Sequence, residues 1–186
     1  LPDKRVYEEI ERLVGSLVNV RITGGNGSNG DGLVCANSSS VTLRAATVTM
    51  NNESGIDANN CTLSIEGSTF SGNTGGGISS TGGSFEIANT FIVRNGNNGS
   101  NVGGVLLSST QPSVFRFNTV ADNDIADISQ ASGVHCASNM VTGGFNLLYR
   151  NRIDGTATGP AQQNNMNCSG ASSVVELNAG TIMFAS

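Results

Sequence analysis

The chain has 186 residues, of which 25 are glycine and 23 are asparagine, while only 12% are charged. This composition excludes a helical bundle, because glycine, asparagine, serine and threonine are poor helix formers. Collagen is excluded too, since it requires many more prolines than the three present. The net charge of −5 argues against a nucleic-acid partner. No apolar run approaches the roughly 20 residues that span a bilayer, so we expect no membrane span.

The first predicted element is an amphipathic capping helix over residues 1–17. Apolar residues recur there at helical spacing; they are Val6, Ile10, Leu13, Val14 and Leu17. A stack of strands exposes unpaired backbone at its ends, which natural proteins cover. We therefore expect the helix to cover the N-terminal end of a domain that comprises residues 18–186.

From residue 32 onward the chain is a repeat. Its lines open with a glycine and an aliphatic residue, at Gly32, Gly55, Gly77, Gly104 and Gly133, which are separated by 23, 22, 27 and 29 residues. Three further columns align inside these lines. They are an apolar column (Leu43, Ile65, Ile87, Phe115), a second apolar column (Val48, Phe70, Ile92, Val120, Leu148) and an asparagine column (Asn51, Asn73, Asn95, Asn123, Asn151).

A unit of about 22 residues with strands too short to fold alone buries its apolar face by stacking on its neighbours. The repeat thus predicts an all-β fold, a parallel β-helix of about six coils in which like residues stack at the strand spacing of roughly 4.8 Å. Asparagine carries both a donor and an acceptor. We therefore interpret the asparagine column as a structural hydrogen-bonded ladder and assign it no catalytic role.

Four cysteines, Cys35, Cys61, Cys136 and Cys168, fit the same repeat as disulfides between coils. Three connectivities are open. Cys35 and Cys136 fall in one column but four coils apart, too far for a disulfide. The repeat therefore favours Cys35 with Cys61 and Cys136 with Cys168. Two disulfides imply an oxidising compartment, so we expect a secreted or cell-surface protein.

The run at residues 68–78 contains Phe70-x-x-Asn73 and Gly75-Gly-x-Ile78. It resembles the repeat of secreted bacterial right-handed parallel β-helix proteins of the pectin-lyase-like superfamily, including surface-anchored and adhesin-like members. Residues 118–123 and 133–136 resemble the same group. The resemblance implies a right-handed solenoid. It does not select an activity, because such repeats carry lyases, hydrolases, epimerases and non-catalytic proteins.

Motifs of polygalacturonase-like hydrolases are missing from the chain. Asn118 and Thr119 are followed by Val120 where the acid belongs, and no Asp-Asp pair occurs. The lone histidine, His135, precedes Cys136, and we interpret it as structural. A threonine array typical of ice-binding solenoids is limited to Thr47 and Thr69. These observations favour a non-catalytic protein.

Calcium-dependent lyase chemistry is the main alternative. It needs several carboxylates around the ion, which Asp122, Asp124 and Asp127 would supply, and a cationic residue to assist proton abstraction. We expect no other cofactor. The more ordinary interpretation of these acids is a solvated turn after Asn123.

Insertions after the asparagine column mark the edge of the solenoid where a ligand would bind. They lie at 96–103, at 124–132 and after Asn151. Their polar side chains suit sugar hydroxyls; the ligand-binding candidates are Asn97, Asn98, Asn101, Asp124, Asp127, Gln130 and Asp154. The partner we expect is a polysaccharide or another surface component. The apolar C-terminal coil adds an expectation of end-to-end self-association. We therefore predict a scaffold, adhesin or binding module, with a lyase or hydrolase acting on acidic polysaccharide as the alternative.

Overall fold

A computed structural model describes residues 14–27, 29–97, 100–126, 131–137, 140–153, 166–168 and 175–176. These residues form short parallel strands and contain no helix. The strands of the first sheet are β1 (Val14–Val18), β4 (Ser40–Arg44), β7 (Thr62–Glu66), β10 (Ser84–Ala88), β13 (Ser113–Arg116) and β17 (Val141–Gly144). Those of the second are β2 (Arg21–Thr23), β5 (Thr47–Thr49), β8 (Thr69–Ser71), β11 (Phe91–Val93), β14 (Thr119–Ala121), β18 (Leu147–Tyr149) and β21 (Val175–Glu176).

The third sheet follows the long loops in each coil. Its strands are β3 (Leu33–Cys35), β6 (Ser54–Asn59), β9 (Gly76–Thr81), β12 (Val105–Ser108), β16 (Val134–Cys136) and β20 (Met166–Cys168). A two-stranded sheet, β15 (Asp124–Ile125) and β19 (Arg152–Ile153), lies between the second and third sheets along the chain. Each coil contributes one strand to the first sheet, and that sheet has six strands, with about five turns of chain between the first and the last. The prediction of a parallel β-helix of about six coils is therefore confirmed.

The predicted columns are confirmed by the strand register. Leu43 pairs with Ile65, Ile65 with Ile87, and Ile87 with Phe115. The second column, from Val48 through Phe70, Ile92 and Val120 to Leu148, pairs in the same way. Both columns are buried and form one continuous apolar core along the axis.

The asparagine ladder is also confirmed, and its side-chain amides donate both to the next asparagine along the axis and to the backbone. Asn95 Nδ2 donates to Asn123 Oδ1 at 3.0 Å along the axis and to Phe70 O at 3.0 Å. Asn95 Oδ1 accepts in turn from Nδ2 of Asn73 at 2.9 Å. The same bonds link Asn51 to Asn73 and Asn123 to Asn151. The backbone corner that follows the second sheet is thereby closed from inside the coil.

A second ladder, not predicted from the sequence, closes the corner between the first and second sheets. Asn118 Nδ2 donates to Asn146 Oδ1 at 3.1 Å, and Thr90 N donates to Asn118 Oδ1 at 3.0 Å. Ser68 extends it through its hydroxyl, which accepts from Ala46 N at 3.1 Å. This column is hard to recognise in the sequence because its members differ in type. Serine hydroxyls and asparagine amides both accept a hydrogen bond from the backbone of the preceding coil.

The N-terminal prediction is wrong where the structure describes it. Residues 14–17, assigned to the end of the capping helix, lie in strand β1, and Leu17 pairs with Leu43. Pairing on β4 supplies backbone hydrogen bonds and places Leu17 against the core, which a helix ending there would forgo. Residues 1–13 of the predicted helix, including Val6 and Ile10, lie outside the described residues.

The C-terminal part departs from expectation in one place. The composition of residues 154–173 predicts a loop, but Met166–Cys168 form β20 and pair with β16. Val175–Glu176 continue the second sheet on β18, as expected of a last coil. Residues 177–186, which hold the rest of the predicted C-terminal coil, lie outside the described residues.

Both predicted disulfides are present. Cys35 bonds to Cys61 and Cys136 to Cys168, with sequence separations of 26 and 32. Each therefore joins successive coils, and Cys136 and Cys168 are direct register partners. Among the described residues, no helix is long and apolar enough to cross a membrane.

Candidate functional site

The long loops contact one another where they are described. Ser100 Oγ donates to the carbonyl of Asp124 at 3.3 Å, and Ala126 N donates to the carbonyl of Ser100 at 3.1 Å. Asp124 in turn pairs with Arg152 in register across β15 and β19. An acid and a cation from successive coils thus occupy neighbouring positions at this edge.

The predicted ligand-binding residues are only partly described. Asn97 is half-buried and its N–H donates to Ser100 Oγ at 3.1 Å, which closes a tight loop, whereas Asn101 is exposed. Asp124 is half-buried and its Oδ1 accepts from Ile125 N at 2.9 Å. Asn98, Asp127, Gln130 and Asp154 lie outside the described residues. Ligand binding at this edge stays a prediction.

Two of the three predicted calcium ligands are described, and both have other partners. Arg150 Nε lies 3.1 Å from Asp122 Oδ1, so the first carboxylate is in an ion pair. The second, Asp124, accepts from its neighbouring backbone, and Asp127 lies outside the described residues. Within those residues, no group of three histidine, cysteine or acidic side chains could hold a metal ion. A cation at Asp122 would compete with the Arg150 guanidinium.

His135 lies in β16 between Leu106 and Asn167 of the adjacent coils. Its Nδ1 is buried and has no hydrogen-bond partner among the described residues. Its neighbour Cys136 is disulfide-bonded.

The threonine column is interrupted as the sequence indicates, because Phe91 stands between Thr69 and Thr119.

Acidic side chains also gather near the N-terminal coils. Burial raises the pKa of the Asp31 carboxyl above its ordinary value; the N–H of Ser54, which donates to Oδ1 at 2.8 Å, opposes the rise. The carboxylates of Asp57 and Glu53 add to the rise by repulsion. This carboxyl therefore takes up a proton more readily in the folded chain than in the unfolded chain.

The outward face of the first sheet carries a charged column that the sequence reasoning missed. Arg44, Glu66, Ala88 and Arg116 occupy successive register positions, each directly after an inward core residue. Arg44 lies 3.8 Å from Glu66. Arg116 donates to Glu86 Oε1 at 2.7 Å. Adding one to each position of the first apolar column would have revealed this set.

Ala88 is the short member of that column and leaves a recess between longer side chains. The resulting cleft, here called the Ala88 cleft, has a volume of about 370 Å³. It is lined by Arg44, Ser64, Ile65, Glu66, Glu86, Ala88, Asn89, Arg116 and Phe117. At its Phe117 end, the ring stacks on Phe145 of the next coil, with centroids 5.3 Å apart and planes 6° from parallel.

The comparison with protein families agrees with this architecture. The model of the family described as "Right handed beta helix region" matches residues 16–179. The chain belongs to the right-handed beta helix family. Comparisons with curated proteins and with solved structures find no significant match.

Membership of the right-handed beta helix family accounts for the glycine, apolar and asparagine columns, and it is consistent with the resemblance to the pectin-lyase-like superfamily. Fold alone does not assign chemistry. The two disulfides indicate an oxidising, extracellular environment. The role of this right-handed beta helix protein therefore depends on the groups that its surface presents.

Proposed function

We propose that the protein is a secreted or cell-surface binding module or scaffold that performs no catalysis. One observation carries the proposal: three carboxylates on the outside of the solenoid form ion pairs with arginines of successive coils. Glu66 pairs with Arg44, Glu86 with Arg116, and Asp122 with Arg150.

Glycoside hydrolysis needs one carboxyl that gives a proton and a second that acts as base or nucleophile. Each of these three carboxylates instead faces a guanidinium, which engages it as an acceptor. A stack of coils bonded through two ladders also supports binding, since rigid strands hold surface groups at fixed spacing.

The alternative is an enzyme that acts on acidic polysaccharide at the long-loop edge. Its support is the juxtaposition of Asp124 and Arg152 on paired strands. An acid and a cation at neighbouring positions are what a calcium-assisted or acid–base elimination would use.

A depolymerisation panel separates the two functions. The disulfide-bonded protein is incubated with pectate, alginate, galacturonan, chondroitin and a neutral galactomannan, with calcium and with EDTA, while binding is scored by affinity electrophoresis. We expect retardation by at least one polysaccharide and no new chain ends. Release of unsaturated or reducing ends that stops in Asp124→Ala would overturn the proposal in favour of the enzyme. Asn59→Ala, an exposed change at the end of β6 and outside the candidate residues, is the matched control.

A further inference from the structure

Two phenylalanines occupy backbone positions that disfavour them. Phe117 and Phe145 have φ of 57° and 55°, in the left-handed region. The same corner of earlier coils carries Asn19, Ala45, Gly67 and Asn89. Glycine and asparagine adopt this conformation readily, whereas a bulky residue there is a genuine outlier. The corner conformation itself recurs in every coil, and Met50, Arg94 and Arg150 adopt it at the next corner, so the fold imposes the backbone. What remains to be explained is why two rings stand at these positions.

Packing does not explain these two rings. Phe117 is 49% exposed and Phe145 is 72% exposed, so neither belongs to the core. They stack face to face, so Phe145 covers one face of Phe117; the pair is here called the aromatic platform. The guanidinium of Arg116 lies 6.0 Å from the Phe117 ring centroid, so the platform continues into a charged group.

The platform borders a recess with hydrogen-bonding walls. Phe117 lines the Ala88 cleft together with the two ion pairs Arg44–Glu66 and Arg116–Glu86. Asn89 adds an exposed amide. The volume of about 370 Å³ falls near the small end of ligand pockets, which run from about 300 to 1,000 Å³. The cleft thus combines an aromatic surface, fixed donors and fixed acceptors.

We propose that the Ala88 cleft binds an uncharged sugar residue of an oligosaccharide, a ligand class that rests on the binding function proposed above. The face of an aromatic ring is partially negative, and it attracts the C–H groups on one face of a pyranose. Hydroxyl groups both donate and accept. They would therefore donate to Glu66 and Glu86 and accept from Arg116 and Asn89.

The charges of the cleft select an uncharged sugar. Two arginines and two glutamates line it, and they are paired with each other. A uronic acid would have to displace Glu66 or Glu86 from its arginine, whereas a neutral sugar bonds to the pairs without separating them. Because Phe145 covers one face of Phe117, at most one face of that ring remains for a ligand in the cleft, which is small for a protein interface.

The test uses isothermal titration of the disulfide-bonded protein with cellohexaose, mannohexaose, xylohexaose and maltohexaose, and with trigalacturonate as the acidic probe. We expect at least one neutral oligosaccharide to bind. Phe117→Asn removes the platform with a residue that suits the left-handed backbone, and Ala88→Gln fills the recess. Each should weaken binding by about tenfold or more. Phe91→Thr, which removes an equally exposed ring (54%) from the second sheet, should leave binding unchanged.

Folding of each variant is checked by its thermal unfolding temperature, which we expect Phe117→Asn to maintain or raise. Full-strength binding by both cleft variants would overturn the site while leaving the binding function intact. Exclusive binding of trigalacturonate would overturn the neutral-sugar assignment. Failure of the wild-type protein to bind any oligosaccharide would overturn the sugar-binding proposal, and cleavage of a probe would overturn the non-catalytic function instead.

Discussion

At the residue scale, a buried asparagine in this fold is a three-way connector. Asn95 donates along the axis to Asn123 and across the coil to the Phe70 carbonyl, and it accepts from Asn73. All of these groups are buried, so removing the amide leaves donors and acceptors without partners. An unpaired buried polar group costs about 1–3 kcal/mol.

Asn95→Ala should therefore lower the free energy of unfolding by about 3 kcal/mol, because more than one partner is orphaned. Urea denaturation followed by circular dichroism measures the change. The matched control is Asn59→Ala, an exposed asparagine at the end of β6, which should change the free energy of unfolding by less than about 0.5 kcal/mol. Equal losses in both variants would contradict the ladder's role.

Asp31 gives a prediction with a definite sign in pH. Burial and the neighbouring Asp57 and Glu53 raise its pKa above 3.8, so ionisation is less favourable in the folded chain than in the unfolded chain. The folded state is therefore penalised above the pKa and relieved of that penalty as pH falls through it. Asp31→Asn keeps an oxygen for the N–H of Ser54 and removes the charge.

The unfolding temperature of Asp31→Asn should accordingly exceed that of the wild type at pH 7. The difference should shrink as pH falls and vanish below about pH 3.8, where both folded and unfolded Asp31 are protonated. Thermal unfolding at pH 7 and pH 3 measures this. A wild type that is more stable at pH 7 would contradict the direction of the shift.

At the element scale, the glycines that open each repeat have a steric explanation. A Cβ at Gly77 would lie 2.4 Å from the Gly104 carbonyl oxygen and 2.8 Å from Ile92 Cγ2. The same column at Gly55 meets the Gly77 carbonyl oxygen at 2.6 Å. The strands of the third sheet therefore begin where adjacent coils leave no room for a side chain.

Gly77→Ala should destabilise the fold by about 2–3 kcal/mol, as overpacking of a rigid interior does. The comparison is Gly67→Asn, at a corner with φ +58° where a Cβ would meet no other atom within 4 Å and where asparagine adopts the required backbone. Urea denaturation of the two variants separates crowding from backbone conformation. Similar stability of both variants would refute the steric explanation.

The disulfides act between successive coils and stabilise by restricting the unfolded chain. For the 26-residue separation of Cys35 and Cys61 the expected stabilisation is about 3 kcal/mol. The double variant Cys35→Ala/Cys61→Ala should lose that amount in urea denaturation. Its remaining sensitivity to dithiothreitol should come from Cys136–Cys168 alone; an unchanged midpoint would contradict the prediction.

The sequence predicts the elements that repeat and misjudges those that do not. The inward columns are predictable because identical roles return every coil with similar residues. Leu17 is not, because its three-residue spacing from Val14 is helical, and only the distant pairing with Leu43 places it in a strand. The second ladder is hidden because Ser68, Thr90 and Asn118 differ in type.

The Ala88 cleft illustrates the same limit for the surface. Its charged column follows the core column by one position and is therefore accessible from the sequence. Phe117 and Phe145 are not, because an aromatic residue near a core column is expected to be buried. Only the corner conformation shows that both rings point outward.

At the scale of the whole molecule, each coil contacts its neighbours and the solenoid presents its outward columns as straight, regularly spaced surfaces. Two of these surfaces differ in chemistry. The long-loop edge carries Asp124 and Arg152, and the first sheet carries the Ala88 cleft with its aromatic platform. The proposed binding function would use the ion pairs of the cleft, whereas the enzyme alternative would use the charges of the long-loop edge.

Binding and catalysis can be measured on the same samples. The disulfide-bonded protein is incubated with neutral and acidic polysaccharides of defined chain length, and the bound fraction and the chain length are recorded from the same samples. The account predicts that at least one polysaccharide is bound and that every chain is recovered at its original length. Shortened chains, or no binding to any of them, would contradict it.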